Sequence, residues 1–150
     1  LIIGKGSEEK RLKELARLLR IDNNIDFLGN VSDDRLIECL NLSNVYISTS
    51  LSDAGIAAST AEAMACSLPV IVTNSGENER WIRNGENGFI VPLKNPRILA
   101  EKTIYLLENE GIREKFGKIN RKIIQEKNDY FKEMQKMEKI YRQILECNGR

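Results

Sequence analysis

The residues best equipped for chemistry lie between 50 and 65, where the chain reads Ser-Leu-Ser-Asp-Ala-Gly-Ile-Ala-Ala-Ser-Thr-Ala-Glu-Ala-Met-Ala. This is the pattern of a strand end, a loop with Gly55, and a helix of small side chains over 57–65. Small residues let a ligand come close to the backbone. The first N–H groups of a helix have no partner within it and sit at the positive end of its dipole, which suits a diphosphate. Thr60 can add a hydroxyl donor. Glu62 falls within the first two turns, where a carboxylate can accept two hydrogen bonds from a vicinal diol such as a ribose. Position alone favours an ordinary surface glutamate near a helix start.

The bulk composition narrows the chemistry further. With 150 residues the chain fits one domain with a hydrophobic core. The formal net charge of +1 gives no case for nucleic acid as a partner. Basic residues outnumber acidic ones after Gly111, so a basic face can sit near anionic lipid as a peripheral membrane contact, or be simply a solvated helix surface. There is no histidine, which excludes His-based acid–base catalysis. Cys39, Cys66 and Cys147 are too widely spaced for a zinc site. Unpaired cysteines without a signal peptide suggest a reducing, cytoplasmic setting. No apolar run approaches the roughly 20 residues of a membrane span. The chain is strand-like from Leu1, with no Met and no leader, as expected of a piece of a longer protein.

Short apolar strands are expected over 1–4, 25–28, 45–49, 68–73 and 89–92. Helices are expected between them: one capped by Ser7 with Leu12, Leu15, Leu18 and Leu19 at helical spacing, and one starting at Ser32 ahead of Asp33 and Asp34. Another is expected over 57–65 and a short one over 77–82, with a turn over 84–88. Three more should follow, over 96–108, 113–126 and 129–147. The last carries Phe131, Met134, Met137, Ile140, Tyr141, Ile144 and Leu145 on one stripe, which reads as core or partner-facing. Strands alternating with helices predict an α/β fold: a Rossmann-like parallel sheet with helices on both faces. Ligands of such sheets bind beyond the carboxyl strand ends. That directs attention to the loops over 4–7, 29–32, 50–58 and 74–78.

Ser52-Asp53-Ala54-Gly55-Ile56, then Ala61-Glu62-Ala63-Met64-Ala65-Cys66, then Leu68-Pro69-Val70-Ile71 resembles the signature of family 4 retaining glycosyltransferases of the GT-B fold. Phe27-Leu28-Gly29-Asn30-Val31 upstream and Gly85-Glu86-Asn87-Gly88-Phe89-Ile90-Val91-Pro92 downstream fit the same pattern, so the resemblance covers nearly the whole chain. It implies the C-terminal half of a GT-B enzyme, which holds a UDP- or GDP-sugar donor while an N-terminal domain presents the acceptor. No cofactor or metal is implied. The ribose-binding glutamate of the family falls on Glu62. The backbone that contacts diphosphate and sugar falls on Gly55, Ile56 and Ala57, and the segment that holds the base on Asn30, Val31 and Ser32.

The sequence departs from the family at several points. The family places a first glutamate eight residues before the second, and here that position is Ala54. The nearest acid is Asp53; a branch of the family reads Ser-Asp-Gly here, and that resemblance implies that Asp53 takes over the contact with the donor sugar. An Asx-type turn residue is the alternative role for it. Ser67 replaces a usual glycine, and Trp81 fits the same Ser-Asp branch. The family draws a phosphate-binding Arg and Lys from just upstream of the strand with which this chain begins. Gly4-Lys5-Gly6-Ser7 is neither a Walker loop nor a dinucleotide fingerprint, since Glu9 stands where the third glycine belongs. A catalytically silent partner subunit of the same fold is the main rival reading. A sugar-nucleotide epimerase fits poorly without histidine.

Overall fold

A computed structural model describes residues 1–52 and 54–148. Two compact units make up the chain, Leu1–Cys39 and the residues from Leu40 on.

In the first unit, strand β1 (Ile2–Ile3) pairs in parallel with β2 (Phe27–Gly29), Ile2 opposite Phe27. The pair is closed by Gly4 N–H on the Gly29 carbonyl at 2.8 Å. Helix α1 (Glu9–Leu18) crosses between them and is tied to β2 by the Lys13 ammonium, 5.3 Å from the Phe27 ring centre. Ser7 does not cap α1; the helix begins after Glu8, with no side-chain cap. The leucines expected on one face of α1 are exposed, and only Ala16 on that helix is buried. Ser32 does cap α2 (Asp33–Leu42), its Oγ accepting from the Arg35 amide at 3.4 Å.

The second unit is built on β3 (Tyr46–Ser48), β4 (Val70–Thr73) and β5 (Gly88–Val91), all parallel, with β4 in the centre. Side chains alternate across a strand, yet all four residues of β4 are buried, so both faces of the sheet are covered. Helix α3 (Ala58–Ala65) links β3 to β4, while α4 (Pro96–Glu108), α5 (Glu110–Lys127) and α6 (Tyr130–Asn148) follow β5. Ile71, Phe89 and Val91 pack with Leu106 of α4 and Phe116 of α5 to form the core. Asn95 caps α4 through the Ile98 amide at 3.1 Å, with Pro96 in the first turn. Arg113 closes the other end, donating to the carbonyls of Leu106 and Leu107. Parallel strands joined through helices give the α/β, Rossmann-like class read from the sequence.

A buried amide pair joins parts of this unit that are far apart in sequence. Asn87 and Asn120 are fully enclosed, with Asn87 Nδ2 donating to Asn120 Oδ1 at 2.7 Å and to the Trp81 carbonyl at 3.0 Å. Asn87 Oδ1 accepts from the Arg83 amide at 2.7 Å, and Asn120 Nδ2 donates to the Leu68 carbonyl at 2.7 Å. Helix α5, the turn before β5 and the turn before β4 are thereby locked together. Next to this lock, Gly117 touches the Ser67 backbone, where an added Cβ would overlap the Ser67 carbonyl. Ser67 itself lies in the left-handed region at φ +61°.

The stripe on α6 is not core. Phe131, Met134, Met137, Ile140, Tyr141, Ile144 and Leu145 are all exposed. Among the described residues no helix is long and apolar enough to cross a membrane. The ion pairs are short-range helix-surface or loop contacts, such as Arg97–Glu101 at 3.1 Å, and such exposed pairs stabilise little.

Two substitutions test this account by chemical denaturation. Asn120→Ala strips partners from a buried amide and a buried carbonyl, and should cost about 3 kcal/mol. Ser67→Gly relieves the left-handed backbone and should raise stability by about 0.5 kcal/mol.

Candidate functional site

All three strands of the second unit run the same way, so their carboxyl ends open on one side, where an α/β sheet takes its ligands. The chain leaves β3 after Ser48 and reaches α3 at Ala58. Within that loop Gly55 adopts φ +90°, with open space where a Cβ would stand. Glycine is therefore required there by backbone conformation rather than by crowding. Gly55, Ile56 and Ala57 are half-buried.

Ala57 is the N-cap of α3 and offers no side-chain cap. Its carbonyl accepts from Thr60 and Ala61 at 3.0 and 3.1 Å. The amides of Ala58 and Ser59 have no backbone acceptor among the described residues. Tyr46 of β3 holds this end of the helix, donating its hydroxyl to Ser59 Oγ at 2.8 Å. Thr60, Ala61, Ala63 and Met64 face inward. Ala58, Ser59, Glu62 and Ala65 are exposed. Glu62 therefore shares a face with the amide end, one turn from it; its carbonyl accepts from the Cys66 amide at 3.0 Å, while its carboxylate makes no hydrogen bond or ion pair among the described residues. Thr60 is only 1% exposed, so its hydroxyl is turned into the fold rather than toward the open side. Asp53 lies outside the described residues. Asn30 and Val31 follow β2 in the first unit, Asn30 exposed and Val31 half-buried, after a turn set by Gly29 at φ +64°.

Cys66 follows α3 one turn after Glu62, and its thiol is pushed above the usual range, first by burial and then by the Glu62 carboxylate, against the pull of Arg121. A thiol held neutral in this way is a poor nucleophile.

The β4 end carries polar groups that the sequence reading passed over. Thr73 donates its hydroxyl to the Ser50 carbonyl, across to the loop after β3. Asn78 is buried and donates to the Thr73 carbonyl at 3.0 Å. The only signal in the sequence is a hydroxyl at the strand end, followed by an asparagine five residues on. In place of the short helix expected over 77–82 there is a 3-10 turn at Asn78–Arg80. A largely apolar cleft of about 270 Å³ lies at the same strand ends, lined by Thr49, Leu51, Thr73, Val91, Pro92 and Lys94 among others. Neither Glu62 nor the residues from Gly55 to Ala57 line it.

Topology and strand-end loops together define a Rossmann-like α/β protein. Residues 1–123 match the family model for glycosyl transferases group 1, and the chain belongs to that family. It is 31% identical over 146 residues to a capsular polysaccharide biosynthesis glycosyltransferase of Staphylococcus aureus, covering 97% of this chain and 38% of that one. A glycosyltransferase structure from Rickettsia africae superposes with a TM-score of 0.86 at 29% identity, covering 95% of this chain and 39% of that one. HepE of Anabaena, solved with UDP-glucose, superposes at 0.85 over 94% of this chain and 40% of its own, with 20% identity, a likeness of fold. The chain thus spans about two fifths of the length of these proteins.

Thiol accessibility follows from burial. With a thiol-reactive dye at pH 8, exposed Cys147 should label first, while buried Cys39 and half-buried Cys66 react at least tenfold more slowly.

Proposed function

We propose that this chain is the donor-binding half of a retaining glycosyltransferase, holding a nucleotide-sugar while an N-terminal domain of the same protein presents the acceptor. The observation that carries the reading is the placement of Glu62 on the exposed face of α3, one turn from an amide end without a side-chain cap. In this reading, amides around Gly55, Ile56 and Ala57 and at the head of α3 hold the diphosphate. Fixed N–H dipoles aimed at the bridging oxygen stabilise the charge that develops as the nucleoside diphosphate departs. Glu62 accepts hydrogen bonds from both ribose hydroxyls. Asp53 contacts the transferred sugar, and in the first unit, taken by itself, backbone groups of Asn30 and Val31 are the candidates to hold a base. The buried Thr60 hydroxyl makes no direct contact with the donor. Closure of two domains would exclude water from the reacting bond.

The family membership supports transfer chemistry, and the UDP-glucose complex of HepE supports a nucleotide-sugar as the ligand; a UDP- or a GDP-sugar fits the reading. The reading extends to a cytoplasmic setting, with the basic residues after Gly111 available for peripheral contact with the inner face of a membrane. One observation favours a second reading, a catalytically silent subunit: Ala54 stands where the family has its first glutamate.

Calorimetry of the full-length protein against UDP- and GDP-sugars should register binding, and absence of heat with every sugar nucleotide would sink the proposal. Glu62→Ala should weaken donor binding by about 2 kcal/mol, roughly thirtyfold, and lower sugar transfer at least as much. Sugar incorporation left intact by Glu62→Ala would favour the silent subunit.

A further inference from the structure

We propose that Thr73 is a positioning residue for the diphosphate-binding loop, working through its hydroxyl on Ser50. The proposal rests on the donor-binding reading above. Backbone pairing between β3 and β4 ends at Ser48 opposite Val72, whereas β4 and β5 stay paired one residue further, to Thr73 opposite Val91. The chain after β3 therefore leaves the ladder just where the candidate loop begins. Thr73 Oγ1 supplies the next bond, to the Ser50 carbonyl, so a side chain takes over where the backbone stops. A hydroxyl has one proton to give. With that proton on Ser50, the Ser75 Oγ at 3.4 Å from Thr73 Oγ1 can only act as donor to it.

The Thr73 carbonyl is fixed as well, accepting from the Ser75 amide at 2.8 Å and from Asn78 Nδ2 at 3.0 Å. Thr73 is 4% exposed and Asn78 2%, so water does not compete for these bonds. Asn78 is retained there at a cost. Its Oδ1 is buried without a partner among the described residues, a loss that an apolar residue would avoid. What the asparagine contributes in return is the bond to Thr73. The network thus runs from the 3-10 turn through the end of the most buried strand to Ser50, five residues before Gly55. Valine would fill the Thr73 site equally well and keep β4 buried, so packing does not explain the hydroxyl.

The test compares wild type, Thr73→Val, Thr73→Ser and Asn78→Ala by backbone ¹⁵N relaxation and by calorimetry with UDP, GDP and their nucleosides. Thr73→Val should lower the order parameters of Gly55, Ile56 and Ala57 while those of β4 and β5 stay put. It should weaken binding of the nucleoside diphosphate about tenfold and leave the nucleoside unchanged. Thr73→Ser, which keeps the hydroxyl, should restore both, and Asn78→Ala should reproduce the loosening if Thr73→Val does not fold. Unchanged loop order, loosening spread evenly over the sheet, or loosening with undiminished diphosphate affinity would each overturn the proposal. Wild type that binds neither diphosphate would overturn the donor reading instead, and the Thr73 latch would then stand or fall on the relaxation pattern alone.

Discussion

The burial of β4 on both faces is the constraint from which the rest of the second unit follows. Its neighbours both pair with it in parallel, a pairing that no hairpin can join, so each connection is a crossover and all three strands point the same way. The loops that matter are therefore gathered at one edge without any contact among themselves being needed to collect them. Val70, Ile71 and Val72 provide this by being apolar in an unbroken run. Thr73, last in the same strand, is equally buried but polar, and its hydrogen-bonding groups are spent on the loop after β3 and on Asn78. Core and candidate site thus meet within one residue.

Much of this was legible in the residues. Helix α4 lies at Pro96–Glu108 as read, because Asn95 and Pro96 are an unambiguous start signal and Asn109 stops it. The strands expected over 1–4, 45–49 and 68–73 are shorter by one or two residues, while β2 and β5 are displaced, β2 running on to Gly29 and β5 starting at Gly88. Other features were invisible for physical reasons. Leucines at helical spacing predicted α1 correctly but not its exposure, since spacing shows which side chains share a face and not what lies opposite. The Asn87–Asn120 pair is separated by 33 residues, and both look like ordinary polar positions, one in a turn and one on a helix. No local pattern announces a long-range amide pair.

At the candidate site the division is similar. Small residues, a glycine and a glutamate at helical distance identified α3 as the feature to watch, and the structure puts Glu62 on its open face. Thr60 shows the limit of such reading. A hydroxyl two residues from Glu62 looks available on paper, yet at 3.6 residues per turn a shift of two positions moves a side chain to the opposite side of the helix. What sets the loop in place, the Thr73 and Asn78 bonds, comes from the end of β4 and the 3-10 turn after it, beyond the Leu68-Pro69-Val70-Ile71 segment of the motif.

The backbone-to-backbone touch between Gly117 and Ser67 bears on how genetic variation in this protein should be read. The turn that ends α3 rests directly on α5, with no side chain between them to absorb a change. A single methyl added at Gly117 must displace either that turn or the helix beneath it. Substitutions there would resemble loss-of-function alleles of the candidate site while lying fifty-five residues from Glu62 along the chain, and a survey that weighs variants by sequence distance from that site would misfile them.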